Sequence, residues 1–198
     1  MAAQLFIATP ASADPESFPR TLMAVLASAP VSAILVRRGT RNDVDYAAFA
    51  SAIINVGQGA GCAVLVEDDP ALAKRLGADG VHIGTGAAAV KAAIKALKPA
   101  LIVGAGNIVS RHDAMTIGEL EVDYLCFGPF DGTIPPAIAE LALWWAETFE
   151  IPAVLSDPAA TPEIAQAVEV EFIALSTSLW ADQPAATAAR FATAMEQV

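Results

Sequence analysis

Short apolar runs and helical runs alternate along this sequence without a break. Apolar runs of strand length fall at 5–8, 31–36, 62–66, 81–83, 101–103, 122–127, 152–155 and 172–175. Helical spacing or helix punctuation follows each one: 17–29, from Asn42 or Asp43 to 56, 70–76, 86–97, from Ser110 to 117, from Pro135 and Pro136 to 149, from Thr161 to 168, and 184–196. Most strands are apolar on both faces, as parallel strands covered by helices must be. Strict alternation predicts an α/β fold. Eight units favour a closed (β/α)8 TIM barrel over an open doubly wound sheet, and 198 residues make it a compact one. With no linker or internal repeat, the expectation is a single domain over 1–198.

Residues 62–84 show the unit in full. Cys62 to Val66 is a strand, Glu67-Asp68-Asp69 an acidic turn, Pro70 to Leu76 a short helix, Gly77 to Gly80 a turn, and Val81 to Ile83 the next strand. Cys62 and Cys126 both fall inside apolar strands, so buried free thiols are expected. No Cys/His spacing suggests zinc.

Hydrophobic residues make up 55% of the chain and charged residues 17%, which excludes disorder. Covering helices absorb much of the apolar surplus, and a homodimer interface would take up some of the rest. No apolar run reaches membrane-spanning length, so no membrane partner is expected. Met1 to Phe6 lacks the basic region of a signal peptide, which predicts a cytoplasmic protein. The net charge of −11 repels phosphate backbones and argues against nucleic acid as a partner.

In such a barrel, chemistry sits at the C-terminal strand ends. That rule selects Thr9, Arg37, Arg38, Glu67 to Asp69, His82 with Thr85, Gly104 to Asn107, Gly128 to Thr133, Ser156, Asp157 and Ser176 to Ser178. Glu67, Asp68 and Asp69 offer three carboxylates at one strand end for Mg²⁺, which often takes one or two carboxylates plus substrate phosphate. Asp68 or Asp69 capping the next helix is the competing reading. Arg37 and Arg38 suit a bidentate grip on pyrophosphate, or pairing with the acidic turn. Gly104, Gly106, Ser176 and Thr177 offer backbone N–H groups to a phosphate. Asp157 and Pro158 work against phosphate after strand seven, one by charge and the other by lacking an N–H. His82 reads either as a hydrogen-bonded interior histidine or as a base. His112 is expected to be solvated. Trp144, Trp145 and Trp180 read as packing or as an interface.

Gly77-Ala78-Asp79-Gly80-Val81-His82-Ile83-Gly84 and Asp123-Tyr124-Leu125-Cys126-Phe127-Gly128-Pro129, with Gln4 to Thr9 as opening strand, resemble signatures of the thiamine phosphate synthase family and its thiazole tautomerase branch. The resemblance covers essentially the whole chain. It implies coupling of a hydroxymethylpyrimidine diphosphate to a thiazole phosphate, with Mg²⁺ on the pyrophosphate. By resemblance, Arg37 matches the arginine after strand two, Asp68 the first metal aspartate, and Thr133 a threonine after strand six. The serine after strand eight falls at Thr177.

Other ligand-facing positions depart from the pattern. The glutamate and lysine beside the arginine are Arg38 and Gly39, and the preceding glutamine is Leu35. The asparagine before the metal aspartate is Glu67, the second metal aspartate falls at Ala87, and the serine after strand five at Gly106. A threonine and lysine become Pro135 and Pro136, the paired glycines after strand seven become Ser156 and Asp157, and the tautomerase histidine falls at Pro129.

The sequence thus reads as a divergent thiamine phosphate synthase-like barrel for a small phosphorylated ligand. Arg37 and His82 are the catalytic candidates. Arg38, Gly104, Gly106, Thr133, Ser176 and Thr177 are the binding candidates, and Asp68 holds the metal. A divergent enzyme on another small ligand and a non-catalytic binding or interaction protein are the alternatives.

Overall fold

The computed structural model describes residues 3–196. Its strands are β1 (Gln4–Ala8), β2 (Ala33–Val36), β3 (Ala63–Glu67), β4 (Gly80–Ile83), β5 (Ile102–Ile108), β6 (Tyr124–Phe127), β7 (Ala153–Ser156) and β8 (Phe172–Leu175). Neighbours in sequence pair in parallel, and β8 pairs with β1, so the sheet closes into a barrel. Between them run α1 (Phe18–Ser28), α2 (Asp43–Gly59), α3 (Pro70–Leu76), α4 (Ala87–Leu97), α5 (Arg111–Gly118), α6 (Pro136–Thr148) and α7 (Pro162–Ala167). A short α8 (Thr177–Trp180) precedes the closing α9 (Pro184–Met195). The expected (β/α)8 barrel is therefore present, with one additional helical turn where Ser176 to Ser178 reads as loop.

Alternation along each strand splits the core in two. Phe6, Ala8, Ala33, Leu35, Leu65, Tyr124, Cys126, Val154 and Ala174 fill the barrel interior. Residues of the opposite parity, such as Ile34, Val64, Val81, Val103, Leu125 and Ile173, pack outward against the helices. Trp145 lies in that outer layer, stacked on Phe149 at 4.0 Å between ring centroids, and donates its indole N–H to the Ile151 carbonyl. Trp144 is half-buried beside it, so the tryptophan pair is packing. Cys62 and Cys126 are buried free thiols, and burial pushes Cys126 up to about 12.

Helix starts follow the polar residues that precede them. Asn42, Asp69, Ser110 and Thr161 each accept an N–H from the first turn of the following helix. The cap on α3 is Asp69, which leaves Asp68 free of that duty.

The opposite, N-terminal pole is tied by carboxylates. Asp79 Oδ2 accepts the Val64 N–H at 2.7 Å, Asp123 Oδ2 the Val103 N–H at 2.7 Å, and Glu171 Oε2 the Ala153 N–H at 2.8 Å. Each acid stands just before an even strand and satisfies the preceding odd strand, where the ladder has not yet begun. The aspartates of both signature stretches are therefore barrel-closing residues.

The largest departure from expectation is β5, which runs to Ile108. Gly104 to Asn107 belong to the strand and not to a loop. Gly104 pairs with both His82 and Tyr124 in register, and Gly106 is buried. The register shifts between Ala105 and Ile108, a bulge that carries Asn107 at φ 59°. Among the described residues, no helix is long and apolar enough to cross a membrane.

Candidate active site at the barrel mouth

Continuing the inward parity past each strand end places Arg37, Glu67, His82, Gly106, Ser156 and Ser176 around the C-terminal mouth. Arg37 is the best-held of them. Its N–H donates to Thr9 Oγ1 at 3.0 Å, which ties the end of β2 to the end of β1. Its side chain is 14% exposed. One guanidinium nitrogen lies 2.8 Å from Asp131, Nε stands 3.9 Å from Glu67, and the group faces the Phe130 ring at 5.5 Å. Nε is buried without a hydrogen-bond partner among the described residues.

Tyr46 of α2 fixes the neighbouring strand ends. Its hydroxyl donates to the Val36 carbonyl at 2.8 Å and accepts the Glu67 N–H at 2.7 Å. Burial raises its pKa far above the ordinary tyrosine value, so it stays protonated. Glu67 Oε2 in turn accepts the Arg38 N–H at 2.7 Å.

Arg38 does not join Arg37. Its guanidinium pairs with Asp43 at the start of α2 and lies over the Tyr46 ring. Of the two arginines after β2, Arg37 alone turns into the mouth, and both touch the acidic turn through Glu67.

Asp68 is exposed at φ 50°. Its Oδ1 accepts the Gly84 N–H at 2.8 Å and the Thr85 hydroxyl at 3.2 Å, so it leans across the end of β4. Among the described residues, no group of three or more His, Cys, Asp or Glu gathers as a metal centre.

His82 is 3% exposed, with Nδ1 2.8 Å from the Tyr124 hydroxyl and its ring edge-on to Phe130 at 5.6 Å. Burial first, then the charge of Arg37, lower its pKa to about 4. The imidazole is neutral at neutral pH and sealed, which favours the structural reading over a base. Gly104 and Gly106 lie against this pair, where a side chain would not fit. A Cβ on Gly104 would stand 1.9 Å from Tyr124 Cζ, and one on Gly106 would stand 2.4 Å from His82 Nε2.

On the far side, Ser156 Oγ donates to the Pro129 carbonyl at 2.7 Å. Asp157 is buried and accepts the Ala159 N–H at 2.9 Å. Ser176 and Ser178 hydroxyls are buried without partners among the described residues. Thr133 and Thr177 are exposed.

The strand-end rule already places Phe130 and Asp131 at the mouth, and Tyr124, in the interior beneath it, is the residue that rule does not select. The signal for Tyr124 was available: Gly104 is the residue opposite it in a parallel register. The pairing of Asp131 with Arg37 carries no such signal, because only the return of the loop across the mouth brings the two together.

A family model described as thiamine monophosphate synthase matches residues 5–179. A thiamine-phosphate synthase of Hyphomonas neptunium is 34% identical over 203 residues, covering 95% of this chain and 91% of that protein. One of Rhodospirillum centenum is 32% identical over 197 residues, covering 96% and 94%. Among solved structures, a thiamine phosphate pyrophosphorylase from Pyrococcus furiosus superposes with a TM-score of 0.83 at 20% identity, over 99% of this chain and 96% of that one. That last likeness establishes the fold.

Proposed function

The chain belongs to the thiamine monophosphate synthase family, and on that footing we propose that its mouth binds a pyrimidine diphosphate through Arg37 and couples it only slowly to a thiazole partner. The observation that carries this reading is the half-satisfied Arg37 guanidinium. A buried fork with an unpartnered Nε is built to take more oxygen acceptors than the protein gives it.

Mg²⁺ fits one residue here. Asp68 is an exposed carboxylate whose Oδ1 is engaged by Gly84 and Thr85, leaving acceptor capacity on Oδ2. Mg²⁺ accepts one or two carboxylates and completes its shell with phosphate oxygens and water. Asp68 would hold the ion, and the ion when bound would neutralise pyrophosphate charge. With Ala87 at the second ligand position, the ion would depend on the diphosphate for retention.

Departure of pyrophosphate builds negative charge that cations must absorb. Gly39 and Pro136 stand where the family pattern has lysines, which leaves Arg37 as the cation at the mouth centre. Slow coupling follows from that deficit. A thiazole partner with less phosphate is favoured by Asp157, which puts a carboxylate and then a proline where barrels often cradle phosphate.

Calorimetry with inorganic pyrophosphate and with thiamine phosphate, each with and without Mg²⁺, tests the reading. Micromolar, Mg²⁺-dependent binding that Arg37→Ala abolishes is expected. Absence of heat in every condition would sink it. Coupling at or above about 1 s⁻¹, an ordinary enzyme rate, would sink the slow-turnover clause.

A further inference from the structure

We propose that Phe130 and Asp131 form a self-docking latch, in which the protein's own aromatic ring and carboxylate occupy the seat of an aromatic, anionic ligand on Arg37. This rests on the reading of the mouth given above.

The loop that leaves β6 returns across the barrel opening. Its base is pinned, with Pro129 accepting the Ser156 hydroxyl at 2.7 Å. Its tip sits between two glycines in the left-handed region, Gly128 at φ 92° and Gly132 at φ 82°. A side chain on Gly128 would run into the Ser156 carbonyl oxygen at 2.2 Å. Glycine on either side of the tip lets the backbone reorient without the penalty other residues face.

The tip packs against the interior apolar cluster and reaches the candidate ligand seat through both its side chains. Phe130 sets its ring edge-on to His82 at 5.6 Å and against the Arg37 guanidinium at 5.5 Å. Asp131 lies 2.8 Å from an Arg37 terminal nitrogen. A flat ring joined to an anion, with the anion on Arg37, copies the outline of a pyrimidine diphosphate.

The contact is also weak enough to release. The Asp131 side chain is 64% exposed, and an ion pair with one solvated partner contributes little net stability. Arg37 Nε stays unpartnered, so the latch fills only part of the guanidinium's capacity. A diphosphate offers more charge and more oxygens than one carboxylate, and it displaces the tip by outcompeting it at the same atoms.

The test uses the full chain and its Asp131→Asn variant. Amide hydrogen exchange over residues 128–135 is followed with and without inorganic pyrophosphate plus Mg²⁺, alongside calorimetry. Exchange over this segment is expected to rise in the variant without any ligand, and to rise in the unaltered chain when pyrophosphate is added. The variant is expected to bind pyrophosphate roughly two- to fivefold tighter, since it no longer competes with itself. Equal exchange in the two proteins overturns the latch, even if both bind pyrophosphate. So does equal or weaker binding by the variant when the unaltered chain binds pyrophosphate. If the variant opens the segment and neither protein binds pyrophosphate, the latch is upheld and the diphosphate reading of the mouth falls.

Discussion

His82 Nδ1 and the Tyr124 hydroxyl stand 2.8 Å apart inside the barrel, reaching from β4 and β6 over a glycine on the strand between them. Both groups are buried, and both are held in their neutral forms by burial. The pair spans the interior just below the mouth, where it supports Phe130 and indirectly the Arg37 seat.

The neutral imidazole gives stability a definite pH dependence. Its folded pKa of about 4 lies below the ordinary value of 6.5. As pH falls below 6.5 the unfolded chain takes up a proton that the folded chain refuses. Stability present above pH 6.5 is therefore lost toward pH 4, at up to about 1.4 kcal/mol per pH unit. Urea unfolding between pH 7 and 5 should show a steeper loss for the unaltered chain than for His82→Gln. Identical slopes would mean that His82 is not desolvated as described.

Gly104 makes the pair sterically feasible, so Gly104→Ala should displace Tyr124 and cost roughly 1–3 kcal/mol or more. The clash is with the ring itself, Cβ to Cζ at 1.9 Å, so trimming the ring should relieve it. Gly104→Ala combined with Tyr124→Leu should be less destabilised than the sum of the two single changes. Additive losses by chemical denaturation would show that the clash is not the cause.

These same residues show where the sequence was legible. Strand positions and helix caps could be read because each is set by local neighbours: apolar runs such as Val64 to Val66, and Asn42 or Ser110 ahead of an apolar helix face. Gly104-Ala105-Gly106-Asn107 misled because glycine is an ordinary loop signal, and here its missing side chain makes room for rings on the adjacent strands. Arg37 and Asp68 were legible as mouth residues from their place after a strand. The separation of Arg38 from Arg37 was not, because it depends on Asp43 capturing one guanidinium. The pairing of Asp131 with Arg37 was least legible, since nothing near Asp131 in sequence indicates its partner.

The carboxylates at the N-terminal pole should behave as structure alone. Asp79→Ala and Asp123→Ala each strand a backbone N–H, of Val64 or Val103, at a cost of about 1–3 kcal/mol. Thermal melts should fall by several degrees, about 2–4 °C for each kcal/mol in a chain of this size. Pyrophosphate affinity, measured by calorimetry well below the melting range, should stay within about twofold, because both residues lie at the pole opposite Arg37. A large loss of affinity without a fall in melting temperature would contradict the assignment.

Asp157 offers the sharpest test of ligand choice. It is buried at the end of β7, where it organises a turn through the Ala159 N–H, and Pro158 after it has no N–H to give. The unpartnered Ser176 and Ser178 hydroxyls lie beyond the adjacent strand β8. A buried carboxylate here repels a phosphate dianion strongly, because little water screens it. Asp157→Gly removes that charge and frees a backbone that can approach a ligand closely. The variant should bind thiamine phosphate about fivefold tighter or better, with binding of inorganic pyrophosphate at Arg37 unchanged. It should also lose some stability with the turn. Unchanged affinity for thiamine phosphate, in a variant that still folds, would mean that Asp157 shapes the turn and does not select the ligand.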